Sequence, residues 1–192
     1  MKAMDRARSI LDVLRQVSTA SEVNWIHRRR NTIMAGTGSP VSGSGAVASY
    51  SVRIQRNGKA GTSGAEGRIR PTALAEEAIC SARSGPDFDY ELPSDNPPVD
   101  GFDSRAPLPS HQEALDFVNR LALLAKASYP GALLSVKVAW GRDLVGIVNS
   151  MGLSGEYLRN RVRVDATVSA ATGDGLYRSA SGFEAAELPS PE

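Results

Sequence analysis

The sequence predicts an α+β fold, with a mostly antiparallel sheet and about three helices packed on one face of it. Segments with helical spacing of apolar residues are separated by segments in which apolar and polar residues alternate. Their order along the chain is helix, hairpin strands, helix, long loop, helix, hairpin strands. An Asn-Gly pair between two alternating segments is typical of a tight antiparallel hairpin. The sequence shows no internal repeat.

Three segments have the spacing of amphipathic helices. The first is predicted over residues 5–17, where Ile10, Val13, Leu14 and Val17 recur on one face. The second begins at Pro71 and ends before Gly85. The third begins at Ser110, because Ser110 and Glu113 have the spacing of a capping box, in which each side chain satisfies a free amide of the other residue.

Strands are predicted where apolar and polar residues alternate, and turns where glycine, proline and asparagine cluster. The predicted strands are 22–34 (with Asn31 as a candidate turn residue), 46–55, 59–63, 133–140, 144–148 and 157–170. The Gly- and Ser-rich stretch 36–45 is predicted to be a loop. Turns are predicted at 57–58, 141–143 and 149–152.

The 192 residues predict one domain over 1–170, followed by an irregular tail over 171–192. Beyond Ala171 the residues are small and polar, and the chain ends in a proline-rich stretch. A long break over 84–109 is rich in proline and aspartate. A solvated linker is the favoured interpretation of that break, and a peptide- or partner-binding arm is the alternative.

The charge balance gives no support for a polyanionic partner. The chain has 22 basic and 21 acidic residues, a net charge of +1, so neither nucleic acid nor an anionic membrane surface is expected as a partner. No apolar run approaches the length of a transmembrane helix. Cys80 is the single cysteine, which excludes an intrachain disulfide and suits a cytoplasmic location.

The sequence motifs of familiar catalytic sites are missing. The two histidines, His27 and His111, are far apart, and neither a His-Glu-x-x-His motif nor a cysteine pair is present, so no metal site is expected. No Gly-x-Ser-x-Gly nucleophile elbow lies between a strand and a helix. The glycines of 36–38 and 61–67 lack the spacing of dinucleotide- or phosphate-binding loops.

The basic run 27–30, His-Arg-Arg-Arg, has two interpretations. Clustered arginines can contact nucleic acid, but no aromatic residues are interleaved with them. A solvated strand edge, where arginine discourages unwanted strand pairing, is the favoured interpretation.

An ordered series of motifs resembles a known family. After a first helix come Glu22-Val23, a Gly/Ser-rich segment, the strand Val52–Gly61 of the form Val-Arg-x-x-x-x-Gly-x-x-Gly, an Ala-rich helix, and a Pro/Asp-rich loop. A further helix then precedes a hairpin that ends in Asn149-Ser150-Met151-Gly152. Over residues 21–170 this series resembles the N-terminal domain of the TldD/PmbA (TldE) metalloprotease family.

The resemblance implies a role in proteolysis without a catalytic residue in this chain. In TldD-like members the zinc motif His-Glu-x-x-x-His lies beyond the N-terminal domain, and TldE-like members lack it and pair with a TldD-like subunit to process peptides. The chain is therefore expected to be a non-catalytic subunit or a fragment of such an assembly. No cofactor is expected in it, and zinc is expected only in a larger TldD-like partner of the heterodimer.

Two alternatives remain open from the residues. One is a stand-alone binding or adaptor module that retains the fold without protease activity. The other is an enzyme whose polar side chains converge only in the folded chain.

Candidate contacts to a peptide or partner lie in one strand and two turns. An extended peptide can add to an exposed strand edge through backbone hydrogen bonds. Tight-turn chemistry alone also explains both turns. The candidate contact residues are Arg53, Asn57, Gly58, Asn149, Ser150 and Gly152.

Overall fold

Three helices and six strands make up the regular structure of the residues that the computed structural model describes, which are 2–36, 38–89, 91–96, 106–185 and 187–189. The helices are α1 (Ala3–Arg15), α2 (Pro71–Ala82) and α3 (His111–Ser128). The strands are β1 (Ala20–Ala35), β2 (Val41–Arg56), β3 (Lys59–Glu66), β4 (Leu133–Asn149), β5 (Ser154–Thr172) and β6 (Gly175–Ala185). The predicted α+β class is confirmed.

The strands form one antiparallel sheet in the order β3-β2-β1-β4-β5-β6. The β2–β3 hairpin closes at the pair Arg56 and Lys59, so its turn consists of Asn57 and Gly58, as predicted. The β5–β6 hairpin closes at Thr172 and Gly175. Consecutive strands are therefore neighbours in the sheet at both of its ends.

The contacts divide the chain into two compact units. Unit 1 comprises Met1–Arg28, Val47–Asp103 and Asp143–Leu158, and unit 2 comprises Arg29–Ala46, Ser104–Arg142 and Arg159–Glu192. Strands β1, β2, β4 and β5 each contribute residues to both units. The predicted domain end at residue 170 lies inside β5.

Unit 1 has a core in which helices α1 and α2 contribute apolar faces. Along α1 the buried residues recur every three or four positions, which is the pattern of a helix with one face in a core. Burial of these apolar side chains is the main stabilising contribution expected in unit 1. The largest fully buried side chains of this core are Trp25, Ile10, Leu14, Ile54, Leu74 and Val23.

Unit 2 has its own core beneath α3. Ala114, Phe117 and Val118 form the buried stripe of this helix. The helix begins with the predicted capping box: the Glu113 backbone N–H donates to Ser110 Oγ at 3.1 Å, and the Ser110 N–H donates to the Glu113 carboxylate at 2.7 Å. The strand residues of this core are Ile33, Ala35, Val136, Val138, Trp140, Val162 and Val164.

The predicted turn at 141–143 is wrong, because β4 continues without a break from Leu133 to Asn149. Gly141 does not form a turn. It permits a close approach between β4 and β1. A Cβ atom at Gly141 would lie 1.7 Å from the Arg29 backbone oxygen, which no side chain can tolerate. A glycine in a strand interior is typical of such an approach as well as of a turn, and the sequence pattern does not separate the two.

Two predicted irregular segments contain strands. The predicted tail 171–192 includes β6, and the predicted loop 36–45 includes the start of β2 at Val41. Nearly every residue of β6, and residues 41–47 of β2, are exposed. A strand with no buried face lacks the alternation of apolar and polar residues on which the prediction depended.

The basic run 27–30 does not lie on a strand edge. It belongs to β1, which is hydrogen-bonded between β2 and β4. Asn31, the candidate turn residue, also lies inside β1. Alternating residues on a central strand can still be solvated on one face, so the sequence pattern alone does not distinguish a central strand from an edge.

No helix among the described residues combines the length and the apolar character needed to cross a lipid bilayer.

Gly146 gives a test of the unit 1 core. A Cβ atom there would lie 2.0 Å from Cζ2 of the buried Trp25 indole. We expect Gly146→Ala to lower the free energy of unfolding by about 1–3 kcal/mol, the usual cost of overpacking, in urea titrations followed by circular dichroism. Gly43→Ala is the matched control, because a Cβ at Gly43 meets nothing within 4 Å. Equal stability of the two variants would contradict the packing of β4 on Trp25.

Candidate functional site

The candidate contact residues all belong to unit 1, around the start of β1 and the ends of β2 and β4. The Thr19 N–H donates to the Gln55 carbonyl at 3.0 Å, which joins the start of β1 to the end of β2. The Ser150 N–H donates to the Ser21 carbonyl at 2.8 Å, which joins the start of β1 to the turn after β4. Segments far apart in sequence therefore meet at the first residues of β1.

Asn149 organises the turn between β4 and β5. Its side chain is buried, with 1% of the residue exposed. Asn149 Oδ1 accepts from the backbone N–H groups of Met151 at 2.9 Å and Leu153 at 3.0 Å, and Nδ2 donates to the Pro93 carbonyl at 2.7 Å. Gly152 has a φ of +106°, which favours glycine. The turn is thus built from local hydrogen bonds and one bond to the segment that follows α2.

Ser150 is bonded reciprocally to Ser21. Besides the backbone bond, Ser150 Oγ accepts from the Ser21 N–H at 3.0 Å. These two bonds fix the turn against the first residues of β1. Ser150 is therefore held by the fold, which accounts for the residue without a ligand.

Arg53 forms an ion pair with Glu22, a residue that the sequence analysis did not select. Arg53 Nη2 lies 2.9 Å from Glu22 Oε1, and Asn24 Nδ2 donates to the same oxygen at 3.1 Å. The Glu22 side chain is only 7% exposed, whereas that of Arg53 is 37% exposed. A buried carboxylate needs partners of this kind, since burying it without them is costly. Arg53 thus neutralises Glu22 while part of its side chain faces solvent.

The Asn57-Gly58 turn has the backbone conformation that the sequence predicts. Its φ angles are +51° and +73°, the signs of the tight hairpin turn favoured by Asn-Gly. The Gly58 carbonyl accepts from the Phe88 N–H at 2.8 Å, and Lys59 Nζ lies 2.6 Å from the Asp87 carboxylate. The hydrogen bond from Lys59 holds the pKa of the exposed Asp87 below its usual value. The turn is accordingly explained by hairpin geometry.

A histidine–tyrosine pair in unit 1 was not expected from the sequence. His27 Nε2 lies 2.7 Å from the hydroxyl of the buried Tyr50, and the two rings meet edge to face with centroids 5.5 Å apart. Burial lowers the pKa of His27, and the nearby Glu156 charge opposes that shift. Burial also raises the pKa of Tyr50. The two residues lie on β1 and β2, whose pairing no local sequence pattern specifies.

The described residues contain no candidate metal centre. Among them, no group of three His, Cys, Asp or Glu side chains is close enough to hold a metal ion. Cys80 lies exposed on α2, and His111 lies exposed near the start of α3, 6.3 Å from the Trp140 ring by centroids. The structure brings Arg53 and Ser150 to the start of β1 through Glu22 and Ser21, whereas Asn149 bonds within its own turn and to Pro93.

One protein-family model matches part of the sequence. Residues 106–192 match the model of the PmbA/TldA metallopeptidase central domain. No curated protein matches the sequence. The matched model describes a central domain, whereas the sequence motifs resemble an N-terminal domain over residues 21–170.

Solved structures share the fold. A proposed modulator of DNA gyrase from Bacteroides thetaiotaomicron superposes with a TM-score of 0.68 at 14% identity over 94% of this chain. A second proposed gyrase modulator, from Thermotoga maritima, gives 0.62 at 14% identity over 92%. TldE from Thermococcus kodakarensis gives 0.57 at 12% identity over 92%. The chain spans 44%, 42% and 42% of the length of these three proteins.

Asn149 gives a test of the turn. We expect Asn149→Ala to lower the free energy of unfolding by about 2–4 kcal/mol, because the buried amide loses three hydrogen bonds and leaves their partners unsatisfied. Urea unfolding would measure this loss, and hydrogen exchange should show faster exchange at the Leu153 amide. Ser150→Ala removes one acceptor and should cost about 1 kcal/mol. A smaller loss for Asn149→Ala than for Ser150→Ala would overturn the role assigned to the amide.

The pKa of His27 gives a pH test. Because the folded pKa is lowered below the ordinary value of 6.5, the unfolded chain binds the proton more readily. The contribution of His27 to stability is therefore complete above pH 6.5 and is lost as the pH falls below it. An NMR titration of the His27 ring should have its midpoint below pH 6.5. In His27→Gln, the fall in unfolding free energy between pH 7.5 and 5.5 should be smaller than in the parent chain, and an equal fall would refute the assignment.

Proposed function

We propose that the chain belongs to the TldD/PmbA family and is a non-catalytic part of a peptide-processing TldD/TldE-type zinc metalloprotease assembly. The observation that carries the proposal is the match of residues 106–192 to the metallopeptidase central domain. The fold shared with TldE supports it. In this proposal a larger TldD-like subunit supplies the zinc and the catalytic residues, and the assembly is cytoplasmic.

The sheet edge at β6 is the proposed place of contact with a peptide or partner strand. Strands β3 and β6 end the strand order of the sheet. The start of β3 is covered, since the Ala60 N–H donates to the Pro86 carbonyl at 2.8 Å. In contrast, β6 carries the exposed apolar side chains Leu176, Tyr177 and Phe183. An exposed edge of this kind can accept an additional strand through backbone hydrogen bonds.

The turn residues have a supporting role in this proposal. Asn149, Ser150, Asn57 and Gly58 fix the ends of strands, and Arg53 keeps the buried Glu22 neutralised. Of these, Arg53 has a charged side chain that is partly exposed, so it is the residue most able to contact a partner as well. A rigid frame limits the entropy that is lost when a peptide or subunit binds.

Co-expression of the tagged chain with a TldD-like subunit from the same host tests the proposal. We expect a complex of defined native mass that contains zinc and cleaves an unstructured peptide, with no cleavage by the tagged chain alone. Leu176→Asp should weaken complex formation or peptide cleavage by about tenfold, because a charge would be buried at the contact. Leu124→Asp is the matched control, on an exposed position of α3.

A chain that stays monomeric and zinc-free in the presence of the TldD-like subunit would overturn the assembly. That result would favour the stand-alone adaptor instead. Equal effects of the two substitutions would overturn the role of β6 and leave the assembly standing.

A further inference from the structure

Unit 2 contains a cleft of about 530 Å³ whose lining includes three arginines. Arg29 and Arg30 belong to β1, and Arg142 belongs to β4. Ser44 and Gly45, at the exposed start of β2, line it as well. The volume falls in the ordinary range of ligand sites in proteins.

The cleft depends on the close approach of β4 to β1. Because Gly141 has no side chain, its backbone lies against the Arg29 carbonyl. Arg142, the next residue of β4, lines the same cleft as Arg29. A hydrogen bond orients the Arg142 side chain, since its Nε donates to Asn160 Oδ1 at 3.1 Å. Asn160 is buried, and its Nδ2 donates to the Ala106 carbonyl. A guanidinium carries five N–H donors, so this bond leaves the others for a ligand.

Arginines are the charged side chains of the described lining, which contains three of them and no carboxylate. Arg30 has an interaction of its own, so Arg29 and Arg142 are the candidates for contact with a ligand. Arginine binds carboxylate or phosphate through two parallel hydrogen bonds, which makes an oxyanion the ligand of matching chemistry. A concave site with one sign of charge also raises the local concentration of an oppositely charged group.

A peptide carboxylate fits the cleft better than nucleic acid does. No aromatic side chain lines the described cleft, so it has no platform on which a base could stack. The net charge of +1 provides no extended field for a polyanion. The small residues of β2 leave room for a main chain to approach, since a Cβ at Gly45 would meet nothing within 4 Å.

We propose that this arginine cleft binds a carboxylate group of a peptide, with Arg29 and Arg142 as its principal donors. The proposal deepens the proposed function, because it assigns acidic peptides, or peptides with a free C-terminus, as the class of ligand. The carboxylate of a side chain and that of a C-terminus share this chemistry, and the experiment separates them.

Peptide binding by the full chain alone tests the proposal. The probe is the pentapeptide Ala-Ser-Glu-Ala-Gly with an uncharged BODIPY dye at its N-terminus, prepared with a free C-terminus, as its amide, and as the amide with Gln in place of Glu. Fluorescence anisotropy at fixed salt measures each affinity. We expect the form without any carboxylate to bind at least tenfold more weakly than the best form. The ratio between the other two forms identifies the preferred carboxylate.

Substitutions locate the binding. We expect Arg29→Gln and Arg142→Gln each to weaken binding about tenfold, and Arg142→Lys to fall between, since lysine keeps the charge but loses the planar fork. Gly45→Asp places a competing carboxylate in the cleft and should weaken binding similarly. Gly43→Asp is the matched control: it adds the same charge two residues away on the same strand, also into open space, and should leave the affinity unchanged.

Several outcomes would overturn the proposal. Equal affinity for the three peptides would be one, and equal effects of Gly43→Asp and Gly45→Asp would be another. Competition by inorganic phosphate without any preference for a carboxylate would also overturn it. So would tighter binding of a single-stranded oligonucleotide at the same arginines. Circular dichroism of each variant confirms that the fold is retained. Because no zinc subunit is present, failure here leaves complex formation with the TldD-like partner as a separate question.

Discussion

The length of the strands is the constraint on which this structure depends. Strands β1 and β4 have 16 and 17 residues, more than one small core can bury. Strand β1 places Val23 and Trp25 in the core of unit 1, and Ile33 and Ala35 in the core of unit 2. Strand β4 likewise supplies both cores. Each core therefore includes residues from strands that also contribute residues to the other core. Neither unit is a continuous stretch of sequence.

Local signals in the sequence predicted the local features well. The three helices follow from apolar spacing, the capping box of α3 from Ser110 and Glu113, and the hairpin turn from Asn57-Gly58. Each of these depends on residues within a few positions of one another. The continuity of β4 through Gly141 and the presence of β6 depend instead on which strand lies alongside, and no nearby residue encodes that.

The same difference between local and long-range contacts applies to the candidate site. The turn residues were found because asparagine and glycine have local conformational preferences. The partner of Arg53, Glu22, is 31 positions away, and Tyr50 is 23 positions from His27, so neither contact could be predicted from spacing. The ordered motifs resembled the TldD/PmbA family, with residues 21–170 interpreted as an N-terminal domain. The match to the central domain covers 106–192, and of these residues 143–158 pack in unit 1.

Two glycines of β4 have a joint consequence for how the strand can pair. Gly141 lies against the Arg29 carbonyl and Gly146 against the Trp25 ring, and neither place can accept a Cβ atom. If the pairing of β4 shifted by one residue, the side chain of Trp140 or Arg142 would collide with the Arg29 carbonyl. The side chain of Val145 or Ile147 would collide with the Trp25 ring. Both collisions would arise together, in addition to the reversal of inner and outer faces that any such slip causes. The two glycines therefore both disfavour a shifted register of β4 on β1, and they do so at two separate points along the strand.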